Sequence, residues 1–253
     1  MDSTLRFSSR AENYVKYRPR YPREVIETMQ RAYGLIPSAT IADIGSGTGA
    51  LTEMFLQNGN PVAAVEPNPE MRETAERLLN QYPLFRSIAG RAEATTLVDR
   101  SMDYVVVGQA FHWFATRETR REFLRILKPP FRMMVVWNER EFDTTPFMID
   151  YDGLLQRYGL DYAREQHRKV YDTALHDFYG AGGFSERTFG YTQGVDFAGL
   201  KGRMMSSSYT PEPGHPNHEP LVAELLRIFQ MHQVRGLVTL RYVTRMYYGM
   251  LAD

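Results

Sequence analysis

The sequence predicts an α/β fold in which a mostly parallel sheet carries helices on both faces. Three observations support this prediction. A short apolar run ending at Ile44 leads through a glycine-rich turn into residues 51–56, which have helical spacing. A second apolar run covers residues 62–65. Residues 104–107 are apolar throughout, as expected for a central parallel strand.

Length and composition fit one domain over residues 1–253, with room for an added lid. Lysine plus arginine and aspartate plus glutamate each number 30, so the formal net charge is zero. This balance argues against nucleic acid or an anionic membrane as a partner. No apolar run is long enough to span a bilayer, and the start lacks a signal segment, so we expect a cytoplasmic protein.

The sequence also limits the metal and thiol chemistry that we expect. Cysteine is absent, which excludes disulfides, a thiolate nucleophile and zinc–thiolate sites. His215 and His218 are three residues apart, but no carboxylate spacing completes a ligand set. We therefore predict that both histidines are surface residues and that the chain has no metal site.

The central motif is the turn D-I-G-S-G-T-G at residues 43–49. Its glycines permit positive φ and leave no Cβ to block a ligand that approaches the backbone. The helix start behind them offers free N–H groups. Glu66 follows the second apolar run, at the tip of a strand beside this turn. From there its carboxylate can accept two hydroxyls of a ribose, so the stretch predicts a nucleoside site.

The glycine spacing leaves two cofactors open. Gly45, Gly47 and Ala50 also satisfy G-x-G-x-x-G/A, the dinucleotide fingerprint, and Glu66 lies at a suitable distance for it. An NAD(P)-dependent oxidoreductase is therefore the alternative reading.

The D-x-G-x-G-x-G pattern that begins at Asp43 resembles motif I of the class I S-adenosylmethionine-dependent methyltransferases. In that family the acid helps to orient the loop and the amino-acid end of the cofactor. The resemblance implies a Rossmann-like, seven-stranded sheet whose last strand is antiparallel. It also implies that S-adenosylmethionine contacts Asp43, Gly45, Ser46, Gly47, Gly49, Glu66 and Pro67.

The N-terminal segment Y-x-x-Y-R-P-x-Y-P, from Tyr14 to Pro22, looks like the start of the subgroup related to trans-aconitate methyltransferase, methyltransferase type 11. In such enzymes the arginine and tyrosines of this segment help to close over the cofactor. Tyr14 and Arg18 are therefore implied cofactor contacts, and Arg18 can pair with the cofactor's carboxylate. The alternative is a surface proline turn whose tyrosines pack on helix stems.

Two further segments are implied to border the adenine. The resemblance places Met71 against the adenine face, although the residue also suits an ordinary core. The G-x-A-E step at residues 90–93 resembles the segment that meets the exocyclic amine, through Ala92 and Glu93. Glu93 could instead cap a helix that follows it.

The segment Q-A-F-H-W-F at residues 109–114 follows the central apolar strand and is similar to the same subgroup. Ligands of open α/β sheets sit at the carboxyl ends of strands, so we expect Gln109 and Ala110 to face the cofactor. His112 and Trp113 are expected to face the substrate. His112 is a candidate general base because its ordinary pKa lies near neutrality. Alternatively, it bonds a backbone group and shapes the pocket floor.

Three more residues are expected on the substrate side. Asn138 follows the predicted fifth strand and is a candidate wall residue. An S-x-S-Y-x-P step recurs near the substrate in the subgroup, which implicates Ser208 and Tyr209; the ordinary alternative is a turn ended by proline.

The segment of residues 143–183 follows the fifth strand, is rich in aromatic residues and has a helical pattern. We predict that they form a lid over the substrate, or else a helical hairpin that covers a sheet edge. The expected reaction is S-adenosylmethionine-dependent methylation of oxygen or carbon on a small-molecule acceptor. A non-catalytic S-adenosylmethionine-binding module is a further alternative.

Overall fold

The computed structural model describes residues 19–160, 162, 166–207 and 209–252. Its strands are β1 Ile41–Ile44, β2 Val62–Val65, β3 Phe85–Ile88, β4 Met102–Gly108, β5 Leu127–Arg140, β6 Phe184–Val195 and β7 Val238–Met250. They form one seven-stranded sheet in the order β3-β2-β1-β4-β5-β7-β6.

The direction of each strand confirms the predicted fold class. The β1 strand pairs in parallel with β2 and β4, and β4 pairs in parallel with β5. The β7 strand pairs antiparallel with both β5 and β6. Strand order reverses between β1 and β4, so the carboxyl ends of β1, β2 and β4 meet at a switch point where a ligand can bind.

Helices connect most of these strands. They are α1 Glu24–Tyr33, α2 Ala50–Gln57, α3 Pro69–Leu79, α4 Arg117–Ile126, α5 Pro146–Tyr158, α6 Gln166–Tyr179, α7 Phe197–Met205 and α8 His218–His232. Side chains cap several of the helix starts. Asn68 accepts a hydrogen bond from Met71 N at α3, and Thr116 accepts one from Thr119 N at α4.

The sheet has a buried core on each face. Helices α1, α2 and α3 cover one face, where Met29, Phe55 and Leu79 pack against the strands. Helices α4 and α6 cover the other face, where Phe123 and Phe178 are buried. The β1 and β2 strands are buried on both faces of the sheet, which explains why they are apolar at nearly every position.

A third core lies beyond the carboxyl edge of the sheet. Helices α5, α7 and α8 pack there against the first half of β7, around Leu154, Leu225 and Leu240. We call these three helices the cap. The predicted lid, residues 143–183, therefore contains one cap helix, α5, and one helix, α6, whose Leu175 and Phe178 belong to the core under the sheet.

Three details differ from the sequence predictions. Residues 94–101 contain no helix, so Glu93 has none to cap. The β5 strand begins at Leu127, ahead of the apolar residues 133–136, because Leu127 pairs with Met102 of β4. His218 is buried, and its Nδ1 lies 2.9 Å from Pro211 O.

In the described part of the chain, none of the helices is long and apolar enough to cross a membrane.

The β6–β7 pairing yields a prediction about stability. A Cβ added to Gly249 in β7 would lie 2.2 Å from Gly183 O and 3.0 Å from Phe184 Cα, both backbone atoms. We expect Gly249→Ala to lower the free energy of unfolding by about 1–3 kcal/mol, as overpacking does. Gly190→Ala in β6 is the matched control, because its Cβ meets nothing within 4 Å. Urea denaturation compares the two, and equal midpoints would contradict this packing.

Candidate functional site

A cleft of about 220 Å³ lies at the carboxyl ends of β1, β2 and β4. It brings together many of the residues that the sequence singled out. These are Gly45, Gly47, Glu66, Pro67, Met71, Ala92, Glu93, Gln109, Ala110 and Trp113. The cleft is also lined by four residues that the sequence analysis did not predict, which are Asn68, Arg91, Gly108 and Phe114.

The glycine turn adopts the backbone that its composition predicts. Gly45 has φ 68° and Gly47 has φ 57°, both in the left-handed region. A Cβ on Gly45 would lie 2.8 Å from Ala110 Cβ and 3.1 Å from the Phe114 ring. The absence of that Cβ therefore lets the β4 end pack directly against the β1 end.

Most N–H groups at the start of the turn are engaged within the protein. Gly45 N and Ser46 N donate to Val65 O over 2.9 and 3.2 Å. Gly47 N donates to Glu66 Oε2 over 2.9 Å, and Gly49 N donates to Ser46 O over 2.9 Å. These bonds fix the turn to the end of β2. They also leave fewer donors for the diphosphate of a dinucleotide.

Glu66 is held in the cleft by two backbone N–H groups. Its Oε2 accepts from Gly47 N and its Oε1 accepts from Asn68 N, each over 2.9 Å. The side chain is buried, and burial raises its pKa, while the two N–H bonds and the Arg72 charge oppose that shift. Each carboxylate oxygen has a second lone-pair site, so the group can still accept hydroxyl donors from a ligand.

Asp43 lies behind the turn and does not line the cleft. It is fully buried, and Thr52 Oγ1 donates to its Oδ2 over 2.6 Å. Its Oδ1 has no hydrogen-bond partner among the described residues. Burial raises its pKa to about 7, the Thr52 bond opposes the shift, and the Glu66 charge adds to it. Asp43 therefore links β1 to α2.

The β3 side of the cleft carries Met71, Ala92 and Glu93. Met71 and Ala92 are buried, whereas Glu93 is exposed and lies 3.9 Å from Arg91 Nη1. Asn68 has two roles at the end of β2. Its side chain does cap α3, and its position directly after the β2 end also places it in the cleft wall.

The β4 end forms the opposite wall. Gln109 has φ 61°, a conformation that non-glycine residues adopt mainly at special sites. Its backbone N donates to Val136 O over 3.1 Å and its Nε2 donates to Asn138 O over 3.2 Å. The turn then places Trp113 in the cleft wall with 43% of its surface exposed.

His112 is exposed at the rim and does not itself line the cleft. Its ring centroid lies 4.4 Å from that of Trp113 and 5.3 Å from that of Trp137. The three rings form an aromatic group at the mouth of the cleft, which we call the aromatic rim. A planar or apolar acceptor can stack on such a surface.

Other predicted residues lie elsewhere. Ser46 and Gly49 belong to the glycine turn but do not line the cleft. Asn138 does not line it either: its Oδ1 accepts from Thr244 Oγ1 over 2.6 Å, and its Nδ2 donates to Pro19 O over 3.3 Å. Tyr209 lies under the cap, with its ring 4.9 Å from that of Tyr162. Three predicted residues, Tyr14, Arg18 and Ser208, lie outside the described residues.

The sequence is similar to those of proteins described as methyltransferases. Residues 42–132 match the family model described as a methyltransferase domain. An uncharacterized methyltransferase-like protein of Schizosaccharomyces pombe is 33% identical over 156 residues, which cover 61% of this chain and 59% of that protein. An uncharacterized methyltransferase of Mycobacterium bovis is 37% identical over 142 residues, 55% of each chain. The chain thus spans little more than half the length of these relatives.

Two solved structures share the fold. A protein from Anaeromyxobacter dehalogenans described as a type II methyltransferase superposes with a TM-score of 0.68 at 20% identity, covering 94% of this chain and 99% of that one. The YcgJ protein from Bacillus subtilis superposes with a TM-score of 0.57 at 17% identity, covering 92% and 100%.

The buried acid behind the turn yields a prediction about pH. The pKa of Asp43 is raised from 3.8 to about 7, so between these values the folded protein keeps a proton that the unfolded chain releases. The free energy of unfolding of the ligand-free protein should therefore fall as pH rises from about 4 to about 7, and then level off. Asp43→Asn removes this proton and should flatten that dependence.

Urea denaturation at several pH values measures the effect. Asp177→Asn, which changes an exposed carboxylate on α6, is the control and should keep the wild-type pH dependence. Parallel curves for the wild type and Asp43→Asn would show that Asp43 does not hold the proton.

Proposed function

We propose that this chain is a class I S-adenosylmethionine-dependent methyltransferase, which transfers the sulfonium methyl of S-adenosylmethionine to oxygen or carbon of a small-molecule acceptor. The observation that carries the proposal is the position of Glu66. Its buried carboxylate lines the cleft and is fixed by Gly47 N and Asn68 N. A ribose diol is the ligand group that such a carboxylate recognises at the end of a second strand.

The cleft favours this cofactor over a dinucleotide. The turn uses Gly45 N, Ser46 N, Gly47 N and Gly49 N for its own bonds, whereas a diphosphate needs such donors. A nucleoside with an amino-acid tail carries no diphosphate. The apolar side chains of Met71 and Ala92 suit the adenine, and the β4 end suits the tail.

The chemistry needs little covalent help from the protein. The acceptor attacks the methyl carbon in line, the carbon–sulfur bond breaks, and sulfur keeps the electron pair as a neutral thioether. Alignment at roughly 3 Å, with water excluded, supplies most of the acceleration. A carboxylate acceptor requires no base. A phenol or an activated carbon must lose a proton. His112, which belongs to the aromatic rim, is the candidate base that accepts it.

The acceptor is expected to bind beside the aromatic rim. The aromatic rim, Trp113 above all, offers a stacking surface beside the cleft. The cap stands beyond the same sheet edge, and we propose that residues 143–183 cover the acceptor through α5.

The first experiment tests cofactor recognition. Glu66→Gln replaces one carboxylate oxygen with an NH₂ group, which faces the backbone N–H of Gly47 or Asn68 and cannot accept from a hydroxyl. We expect S-adenosylhomocysteine to bind this variant about 10- to 100-fold more weakly, as for lost hydrogen bonds to a charged group. Isothermal titration calorimetry measures the affinity, with exposed Glu70→Gln as the matched control.

The same titration separates the alternatives. NADH is expected not to bind the wild-type protein. Binding of NADH without S-adenosylhomocysteine would favour an oxidoreductase. A non-catalytic module would bind S-adenosylhomocysteine yet release none from S-adenosylmethionine with any acceptor in a broad panel.

The second experiment concerns His112. If it accepts the acceptor's proton, His112→Ala lowers kcat by about 10²–10⁴-fold, the usual contribution of a general base. The affinity for S-adenosylhomocysteine should change much less, because His112 does not line the cleft. An unchanged kcat on an acceptor with an ionisable O–H group would exclude His112 as the base.

Tryptophan emission gives an independent check on this variant. The chain has two tryptophans, and both of them, Trp113 and Trp137, belong to the aromatic rim. Their fluorescence therefore reports whether the rim is still intact and still responds to a ligand.

A further inference from the structure

Asn138 does not line the cleft, but it joins three segments that lie around it. It stands opposite Thr244 in the β5–β7 pairing, and its Oδ1 accepts from Thr244 Oγ1 over 2.6 Å. Its Nδ2 donates to Pro19 O and Arg20 O over 3.3 and 3.4 Å. Its backbone O accepts from Gln109 Nε2 over 3.2 Å. One residue at the end of β5 thus connects β7, the β4 end and a segment about 120 positions earlier in the chain.

The partners of the Asn138 side chain determine which way its amide faces. The carbonyl oxygens of Pro19 and Arg20 only accept hydrogen bonds, so the NH₂ group must face them. The amide oxygen then faces the buried Thr244 hydroxyl, which can donate. An ionised aspartate has nearly the same size and keeps the bond from Thr244, but it offers no donor to the two carbonyl groups.

The segment held by Asn138 crosses the carboxyl edge of the sheet. We call residues 19–21 the strap. Arg20 Nη1 donates to Glu53 Oε2 of α2 over 2.7 Å, but the Arg20 side chain is 73% exposed, so this ion pair holds the strap weakly. A Cβ added to Gly108 would lie 2.6 Å from the Tyr21 hydroxyl oxygen. The strap therefore packs closely against Gly108, which lines the cleft.

Gln109 is the second group that Asn138 holds. Its φ of 61° costs free energy for a residue with a side chain, so its surroundings must maintain that conformation. The bond from Gln109 N to Val136 O fixes its backbone, and the bond from Nε2 to Asn138 O fixes its side-chain amide. Gln109 lines the cleft, so Asn138 sets the orientation of a polar group in the cleft wall.

Both groups lie at one end of the cleft. The strands that carry the cleft and its neighbour stand in the order β3-β2-β1-β4-β5. The proposed function places the adenine at the β3 side and the ribose at Glu66, after β2. The amino-acid end of the cofactor then extends past β1 to the β4 end, where Gly108 and Gln109 line the cleft.

We propose that Asn138 is a positioning residue for the amino-acid end of the cofactor. It does not contact the cofactor itself. It holds the Gln109 amide and the strap in place, so that this end of the cleft is formed before the cofactor binds. The role differs from the contact with the acceptor that the sequence led us to expect for Asn138. The inference rests on the proposed function, because it takes S-adenosylmethionine as the ligand of the cleft.

The test compares two ligands that differ only at the end in question. S-adenosylhomocysteine carries the amino-acid end, whereas 5′-methylthioadenosine has the same adenosine and thioether without it. In Asn138→Asp, at about pH 8, an ionised carboxylate faces the carbonyl groups of Pro19 and Arg20. We expect its Kd for S-adenosylhomocysteine to rise about 5- to 30-fold, while its Kd for 5′-methylthioadenosine changes less than about twofold. Isothermal titration calorimetry measures both constants.

Asn60→Asp is the matched control for a merely structural effect. Asn60 is fully buried just before β2, at the opposite edge of the sheet, and its Nδ2 also donates to backbone carbonyl groups, those of Ile36 and Ala39. We expect this variant to have a lower Tm than the wild type and an unchanged ratio of the two Kd values. If both variants weaken both ligands equally, Asn138 serves only stability and the proposal is wrong.

Proteolysis tests the strap without any ligand. Trypsin cleaves after arginine but not before proline, so the bond between Arg20 and Tyr21 reports on the strap. We expect cleavage there to be about 5- to 30-fold faster in Asn138→Asp than in the wild type, because the strap opens locally. Asn60→Asp should be cleaved there at the wild-type rate. Mass spectrometry identifies the fragment that begins at Tyr21, and equal rates in Asn138→Asp and the wild type would overturn the proposal.

Asn138→Ala provides a second variant, which introduces no charge. It removes the bonds to Thr244, Pro19 and Arg20, and we expect the same selective loss of affinity for S-adenosylhomocysteine. Failure of the wild type to bind S-adenosylhomocysteine counts against the proposed function. Wild-type binding that both Asn138 variants retain in full counts against this inference alone.

Discussion

The cleft depends on one carboxylate that joins two loops. Glu66 receives Gly47 N from the β1 turn and Asn68 N from the start of α3. Two backbone donors compensate much of the cost of burying this charge, and they prevent the side chain from turning away. The same bonds fix the glycine turn and the helix that carries Met71. The cleft is thus organised before a ligand arrives, which lowers the entropy cost of binding.

The parts of the fold near this carboxylate could be predicted from sequence because their causes are local. The β1 and β2 strands are short and apolar on both faces, and glycines at fixed spacing mark the turn between β1 and α2. The lengths of β6 and β7 depend instead on pairing between segments that are distant in sequence. Most of β6 is exposed or half-buried, so its pattern is weak, and its twelve residues are held by antiparallel pairing with β7.

The same distinction between local and distant causes applies to the residues of the candidate site. Gln109 and Ala110 could be predicted because strand ends of a parallel sheet converge on one edge. The environment of Asn138 could not, because its amide is bound by Thr244 of β7 and by Pro19, which are distant in sequence.

Glu66 lines the cleft and is fixed by two backbone donors, whereas Asp43 lies behind the turn with a pKa that burial raises to about 7. The methyl of the proposed donor comes from a sulfonium, whose positive charge disappears in the reaction. Such a transfer needs alignment of donor and acceptor more than acid–base chemistry. A cleft whose carboxylate is fixed before the donor binds suits that requirement.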